Sequence, residues 1–412
     1  MLSDVVVLDL SRALAGPHAA MMLADLGARV IKIESPAGDD TRKWGPPFVG
    51  PVDDRQSTYF LSCNRNKESL VLDLKSPDGA LVLERLVKQA DVLLENFRTG
   101  VLDRLGFSVD RLHELNPRLI VCSITGFGHD GPEGDRPGYD QIAQGEAGLM
   151  SITGEADGKP TKVGVPIADL LAGIHATVGI TTALYERSTT GKGSVVRTSL
   201  LAGLVGVHAF QGTKWTVGNE TPTRIGNHHP SISPYGLFDV SDGTVQIAIG
   251  SEGQWTRLAE ALNLPADDSR FVDNQARVRN RGQLTKMMED TFSGRSMEDV
   301  MLQMTQIGIP AGRVRTIPQV YEWEQTLSQG LTVQVEHPLL GDITLPGPPI
   351  RFDHGPVSGA RRAHTAPPLL GEHQAAILAW LDEAEWQQEV ADPQSIRKRS
   401  DSSTEIGSKS DV

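Results

Sequence analysis

A Rossmann-like, doubly wound parallel sheet of the α/β class is the fold this sequence predicts, and two observations predict it. Short β-branched runs recur through the first half of the chain, at Val5–Leu10, Val30–Glu34, Ser69–Leu74, Val92–Glu95 and Leu119–Ser123. Longer helical patterns separate them, and strands that alternate with helices run parallel with the helices covering both faces. ALAGPHAAMMLADLGA, between the first two runs, spaces Ala, Met and Leu as a helix does and is closed by Gly27, so a βαβ unit opens the chain. Ala80–Gln89 and Val101–Leu115 read as the helices of later crossovers. A long apolar helix follows Pro166 and runs through LLAGIHATVGITTALYER to the turn at Gly191–Gly193. Its Gly173, Ala176, Gly179 and Ala183 suit close helix packing.

Beyond it the texture changes. The polar, Pro-containing residues 213–234 read as a linker, and residues 235–318 as a smaller central α/β domain. That domain mixes strands such as Thr244–Ile249 with helices such as Gln254–Ala261 and Arg281–Phe292. Residues 1–212 then form the first part of the large domain. A return segment, 319–393, completes it with a helix near Gln374–Leu381. The polar residues 394–412 are expected to be disordered.

Composition narrows the function classes. With 39 Lys and Arg against 52 Asp and Glu, the formal net charge is −13, which repels nucleic-acid phosphates at long range. Two cysteines, Cys63 and Cys122, cannot build a disulfide framework or a four-cysteine zinc site. The N-terminus carries Asp4 and Asp9 without a basic cluster, unlike a secretory or transit peptide. The apolar stretch Leu200–Phe210 is interrupted by His208 and is shorter than the roughly 20 residues of a membrane span. A soluble cytoplasmic enzyme, with no nucleic-acid or membrane partner, is the expectation.

Single motifs give little. GFGHDG at 126–131 matches the dinucleotide pattern GxGxxG, but Pro132, Gly134 and Pro137 follow it and prevent the helix that must receive a pyrophosphate. Glu34 stands where such folds bind a ribose hydroxyl, yet the first turn has only Gly16 of the required glycines; alone, Glu34 reads as a surface or capping residue. His228 and His229 are adjacent, and neither HExxH nor CxxC occurs, so no metal is expected. No GxSxG elbow supports an activated serine. Asp169 precedes an apolar helix, where spacing alone reads as an N-terminal cap. The same place suits a nucleophile, because a helix dipole and free N–H groups favour the ionised carboxylate.

Taken together, RALAGPHAAMMLADLGARVIKIE, GDDTRKWGPPF, YFLSCNRNKESLVLDLKSPDG, ADVLLENFRTGVLDRLG, NPRLIVCSITGFGHDGP, GVPIADLLAG, TGKGSVV and PPLLGEH resemble successive blocks of the class III CoA-transferases. The resemblance covers most of residues 5–375. It implies a Rossmann-like domain made from both chain ends, a smaller central domain, and a homodimer of two interlocked rings. It also implies that Asp169 attacks a donor acyl-CoA, passing through an anhydride and an aspartyl-CoA thioester. No cofactor is tightly bound on this reading, since coenzyme A esters are the substrates.

By the same resemblance, CoA is held by Leu72, Asp73, Leu74 and Lys75, by Asn96, Phe97 and Arg98, by Arg104, and by the loop near Tyr139. Leu14 replaces a glutamine of the formyl-CoA members, and GNHHPSISPYG replaces their run of glycines, which turns the reading away from oxalate and formate. The racemase branch of the same fold needs a histidine where this chain has Tyr139, and a phenol with a pKa near 10 is a poor proton shuttle. GDDTRKWGPPF, STYFLSCNRNK and GNHHPSISPYG look most like the succinate–hydroxymethylglutarate branch, which moves CoA from succinyl-CoA to a second dicarboxylic acid. Its distal carboxylate needs a cation; Arg12, Arg42 and Arg224, with His229 as a donor, are the candidates. A non-catalytic CoA-binding protein would be expected to have lost Asp169.

Overall fold

The computed structural model describes residues 1–353 and 359–391; the tail expected from residue 394 lies outside them. The chain divides into two units, one of residues 1–147, 165–207 and the described residues from 325 onward, the other of residues 148–164 and 208–324.

In the first unit six strands form one sheet: β1 (Val6–Asp9), β2 (Arg29–Glu34), β3 (Lys67–Val71), β4 (Val92–Glu95), β5 (Ile120–Thr125) and β6 (Val195–Ser199). Their order is β3-β2-β1-β4-β5-β6 and every neighbouring pair is parallel. The order reverses between β1 and β4, and in such sheets ligands bind outside the carboxyl ends of the strands at that point.

The strand period of two divides the residues between the faces. Leu8, Ile31, Leu70 and Leu93 enter a core with Leu83, Leu86, Leu112, Ile377 and Leu381. These come from α2 (Pro77–Gln89), α3 (Val109–Leu115) and the helix Gln374–Ala391. That last helix packs on α2 and β3, so both ends of the described chain build this unit. On the opposite face lie α1 (Ala15–Asp25) and α5 (Ile167–Thr190), which pack along each other; between them in sequence comes α4 (Asp140–Glu146). A Cβ on Gly173 would stand 2.6 Å from the Ala15 carbonyl oxygen; only glycine permits that approach of α5 to α1. Helix α5 is long and apolar enough to cross a membrane by length and composition, but here it packs against α1, β5 and β6.

Several boundaries differ from expectation. Strand β3 starts at Lys67, not Ser69, because Lys67 points into the protein with its charge matched there. The helix expected over 101–115 breaks into Val101–Arg104 and α3 at Gly106, whose φ is +90°. Strand β6, VVRTS, was not expected from the sequence; it is short, lies at the sheet edge, and only Ser199 in it is buried. The helix Ala209–Thr216 runs into the first four residues of the expected linker, 213–234, and residues 148–164, read as part of the large domain, belong to the second unit.

The buried face of the first unit carries an ionic network. Lys67 Nζ donates to Asp9 Oδ2 at 2.9 Å, to the Pro17 carbonyl at 2.8 Å and to Asn64 Oδ1 at 2.9 Å. Lys32 Nζ reaches the Ser11 carbonyl and Asp39 Oδ2, each at 2.9 Å. Asp9 also accepts from the Ser11 backbone and hydroxyl. Burial opposes the Asp9 charge, but the two ammonium groups outweigh it and hold its carboxyl below the ordinary range. The network fixes the turn from β1 to α1, where Ala13 adopts a φ of +63° and donates to Asp39.

The second unit has its own core. Tyr235–Val240 and Gly243–Ala248 pair as a hairpin, and Ala311–Arg313 adds antiparallel to the second of these. Phe238, Val245, Ile247, Trp255, Leu258, Met288, Phe292 and Met304 fill the space between the hairpin and the helices Glu252–Leu262, Arg281–Phe292 and Met297–Gln306. Fully buried Arg277 is paired bidentately with Glu252, at 2.6 and 2.9 Å, and lies over Trp255.

Candidate active site

Asp169 sits half-buried in the first turn of α5, where residues from four elements meet. The tight α1–α5 contact brings the start of α1 beside it: Leu14, Met21 and Cys63 form a small apolar cluster with Tyr59 and Leu170. Trp44 meets Tyr59 edge to face, with ring centroids 5.1 Å apart.

The electrostatics reverse one expectation. The free N–H groups that were to favour an ionised Asp169 are taken by Asp140, whose Oδ1 accepts from Ala168 N at 2.8 Å and Asp169 N at 3.4 Å. Among the described residues no group donates to the Asp169 carboxylate itself. Burial first, and the Asp140 charge second, push its pKa up to about 7. Asp169 is thus a half-buried carboxyl that binds its proton more tightly than a capped one would. Burial and the nearby Asp169 charge also raise the Tyr59 phenol, leaving Tyr59 a protonated donor near the carboxylate.

Two of the expected CoA segments follow the carboxyl ends of strands. Leu72–Lys75 follow β3, with Leu72 in the core, Leu74 half-buried, and Asp73 and Lys75 exposed. Asn96–Arg98 follow β4. Across the point where strand order reverses, Arg12 N donates to Asn96 Oδ1 and Asn96 Nδ2 to the Arg12 carbonyl, both at 2.8 Å. The Arg12 guanidinium lies 5.7 Å from the Phe97 ring centre, so Asn96 and Phe97 brace the turn of β1 while Arg98 is exposed. Arg104 is exposed at the end of a one-turn helix, and Tyr139, 68% exposed, precedes α4. The loop after β5 returns on itself, where a Cβ on Gly126 would meet the Gly138 Cα at 2.7 Å. No helix follows GFGHDG before α4.

Two of the expected cations are already engaged. Arg42 is held bidentately by Glu34, both contacts 2.7 Å, and lies over Phe60 at 3.7 Å. Glu34 is itself buried, not a surface residue, and accepts from Ser69 and the Asp39 backbone as well. In the second unit, Arg224 donates to the carbonyls of Glu155, Ser151 and Gly158. His229 lies between Phe210 and Tyr235, and its Nδ1 accepts from Ser231 N. Of the first unit's candidates, Arg12 is exposed and pairs with no carboxylate among the described residues. Asp140 and Tyr59 were missed by the sequence reading, although Asp140 stands next to Tyr139 in PGYDQIA; their roles come from contacts across loops.

A half-buried carboxylate of raised pKa at a helix start occurs in a chain whose residues 2–374 match the model of CoA-transferase family III. The chain belongs to that family. It is 40% identical over 391 residues to a succinate–glutarate CoA-transferase of Agrobacterium fabrum, covering 93% of this chain and 96% of that protein. It is 39% identical over 380 residues to a human succinyl-CoA:glutarate CoA-transferase, covering 92% and 85%. Among solved structures, a CaiB/BaiF family protein from Brucella suis superposes with a TM-score of 0.82 at 40% identity, covering 92% of this chain and 99% of that one. This family III member is an enzyme that transfers CoA.

Proposed function

We propose that this family III enzyme moves CoA from succinyl-CoA to a second dicarboxylic acid through covalent intermediates on Asp169. The observation that carries the reading is the Asp169 carboxylate, free of hydrogen-bond donors among the described residues and raised to about 7 in an apolar corner. The carboxylate attacks the thioester carbonyl, expelling CoA thiolate and leaving a mixed anhydride. The thiolate then attacks the aspartyl carbonyl, forming an aspartyl-CoA thioester and releasing the donor acid. The acceptor carboxylate displaces the thiolate in turn, and the thiolate takes the acyl group from this second anhydride, regenerating Asp169. Each intermediate hydrolyses if water enters, so the apolar lining of Leu14, Cys63 and Leu170 serves the chemistry. Arg12 is the cation we assign to the distal carboxylate, and Lys75, Arg98 and Arg104 are those we assign to CoA phosphates.

The dicarboxylate preference is supported by the glutarate-transferring relatives. A test offers succinyl-CoA with a panel of mono- and dicarboxylic acids and reads the new CoA esters by mass spectrometry. Dicarboxylates are expected to react fastest; faster transfer to a monocarboxylate such as formate would overturn the reading. Exchange of a substrate α-proton without any acceptor would favour the racemase chemistry instead.

An interlocked homodimer in the cytoplasm completes the proposal. Ile174, Val178 and Tyr185 leave an apolar stripe of α5 exposed, Tyr185 by 79%, and a second copy is the cover we assign to it.

Asp140 supplies a pH dependence. With the nucleophile ionising near 7, kcat/KM for the donor is expected to fall about tenfold per pH unit below that value. Asp140→Asn removes the neighbouring charge and is expected to move this limb to lower pH. A limb that stays in place would mean that burial alone sets it.

A further inference from the structure

Three polar side chains beneath the carboxyl ends of β4 and β5 form a chain that the reaction above does not use. Glu95, 5% exposed, accepts from Phe97 N at 2.7 Å and from the Ser123 hydroxyl. Ser123 Oγ meets His129 Nε2 at 2.9 Å. Glu95 ends β4 and immediately precedes Asn96–Arg98; His129 lies in the GFGHDG loop after β5. A second bond joins the same two segments, from Thr99 Oγ1 to the Gly134 carbonyl at 2.8 Å.

We propose that Glu95, Ser123 and His129 are positioning residues that lock the turn 96–98 to the loop 126–131 and so preorganise the acyl-CoA site. The inference rests on the reading of Asn96–Arg98 as CoA-binding. With Glu95 ionised, His129 Nε2–H donates to Ser123, Ser123 O–H donates to Glu95, and the second carboxylate oxygen holds the Phe97 amide. A protonated Glu95 must itself donate to Ser123. The Ser123 proton then turns toward His129 Nε2, and bonds to a charged carboxylate give way to weaker neutral ones. The groups facing the chain are Asp103 and Cys122 around Glu95, and Arg197 and Asp130 around His129. Burial pushes the Glu95 pKa up to about 7, despite the bonds from Ser123 and Phe97, and lowers that of His129. The lock is therefore strongest above neutrality, with a charged Glu95 and a neutral His129.

Calorimetric titration of CoA, alongside steady-state kinetics, tests the assignment. Ser123→Ala is expected to raise Kd for CoA and KM for the acyl-CoA about tenfold at pH 8, the effect of one lost bond to a charged group. The expected change in kcat is less than about twofold, and Ser123→Thr, which keeps the hydroxyl, is expected to restore affinity. Glu95→Gln should weaken binding similarly at pH 8 and match the wild type near pH 6, where the wild-type carboxyl is also neutral. The ratio of variant to wild-type Kd removes the titration of CoA itself. His129→Gln serves should Ser123→Ala fail to fold. If Arg98→Ala weakens CoA binding while the Ser123, Glu95 and His129 variants do not, the positioning role is overturned and the CoA reading of 96–98 stands. If Arg98→Ala binds CoA as the wild type does while the relay variants weaken it, the lock stands and the reading of Arg98 falls. Unchanged binding in all of them overturns both.

Discussion

Asp169→Ala is expected to lose turnover by at least about a thousandfold while binding CoA within about twofold of the wild type, because the side chain supplies a covalent step and little affinity. Asp169→Asn should be equally inactive, since an amide cannot form the anhydride. Incubation with succinyl-CoA, trapping with hydroxylamine and peptide mapping are expected to place the modification on Asp169; labelling elsewhere would remove it from the nucleophile's role. The same residue has a signature in stability. Its pKa rises from an ordinary 3.8 to about 7 on folding, so the folded chain binds this proton more tightly, and wild-type stability falls as pH rises through that window. Asp169→Asn is consequently expected to melt above the wild type at pH 8 and level with it near pH 4. Melting below the wild type at pH 8 instead would show that the carboxylate is stabilised by the fold.

Asp9→Ala is expected to cost about 3–5 kcal/mol of stability, because it strips two fully buried ammonium groups of their shared counter-charge. Lys67 would keep only the Pro17 carbonyl and Asn64, and Lys32 the Ser11 carbonyl and Asp39. A urea midpoint lowered at unchanged slope would report this loss; a change below about 1 kcal/mol would show that the remaining acceptors suffice. Asp9 is held below its ordinary pKa. Its contribution is therefore present above the unfolded value and is lost as pH falls through the folded one, so the variant and wild type are expected to converge under acid. The same substitution should loosen the turn that carries Arg12 and Leu14.

The sheet was legible because its first five strands overlap short apolar runs rich in Val, Ile and Leu, and helical patterns follow β1, β3 and β4, the signal that period and propensity carry. Strand β6 was not expected: VVRTS is short and lies at an edge. Residues 148–164 showed no sign of belonging with residues 208–324, since that association is made by contacts distant in sequence. Asp169 stood out through its motif block, and the strand-end residues through theirs. What Asp169 does electrostatically was misread, because a helix start favours a carboxylate only while its N–H groups are free.

Order along the chain by itself determined the parallel sheet, the helix that starts near Asp169, and the positions of the strand ends. Those features follow from local period, turn residues and the short reach of each crossover. Only the tertiary structure decided which charges are spent and which remain. Arg42 is held by Glu34, Asp140 takes the N-terminal amides of α5, and Arg12 is exposed. A side chain's pKa and availability depend on burial and on partners brought together through space, and residues 29 apart in sequence, as Asp140 and Asp169 are, meet only once the chain has folded.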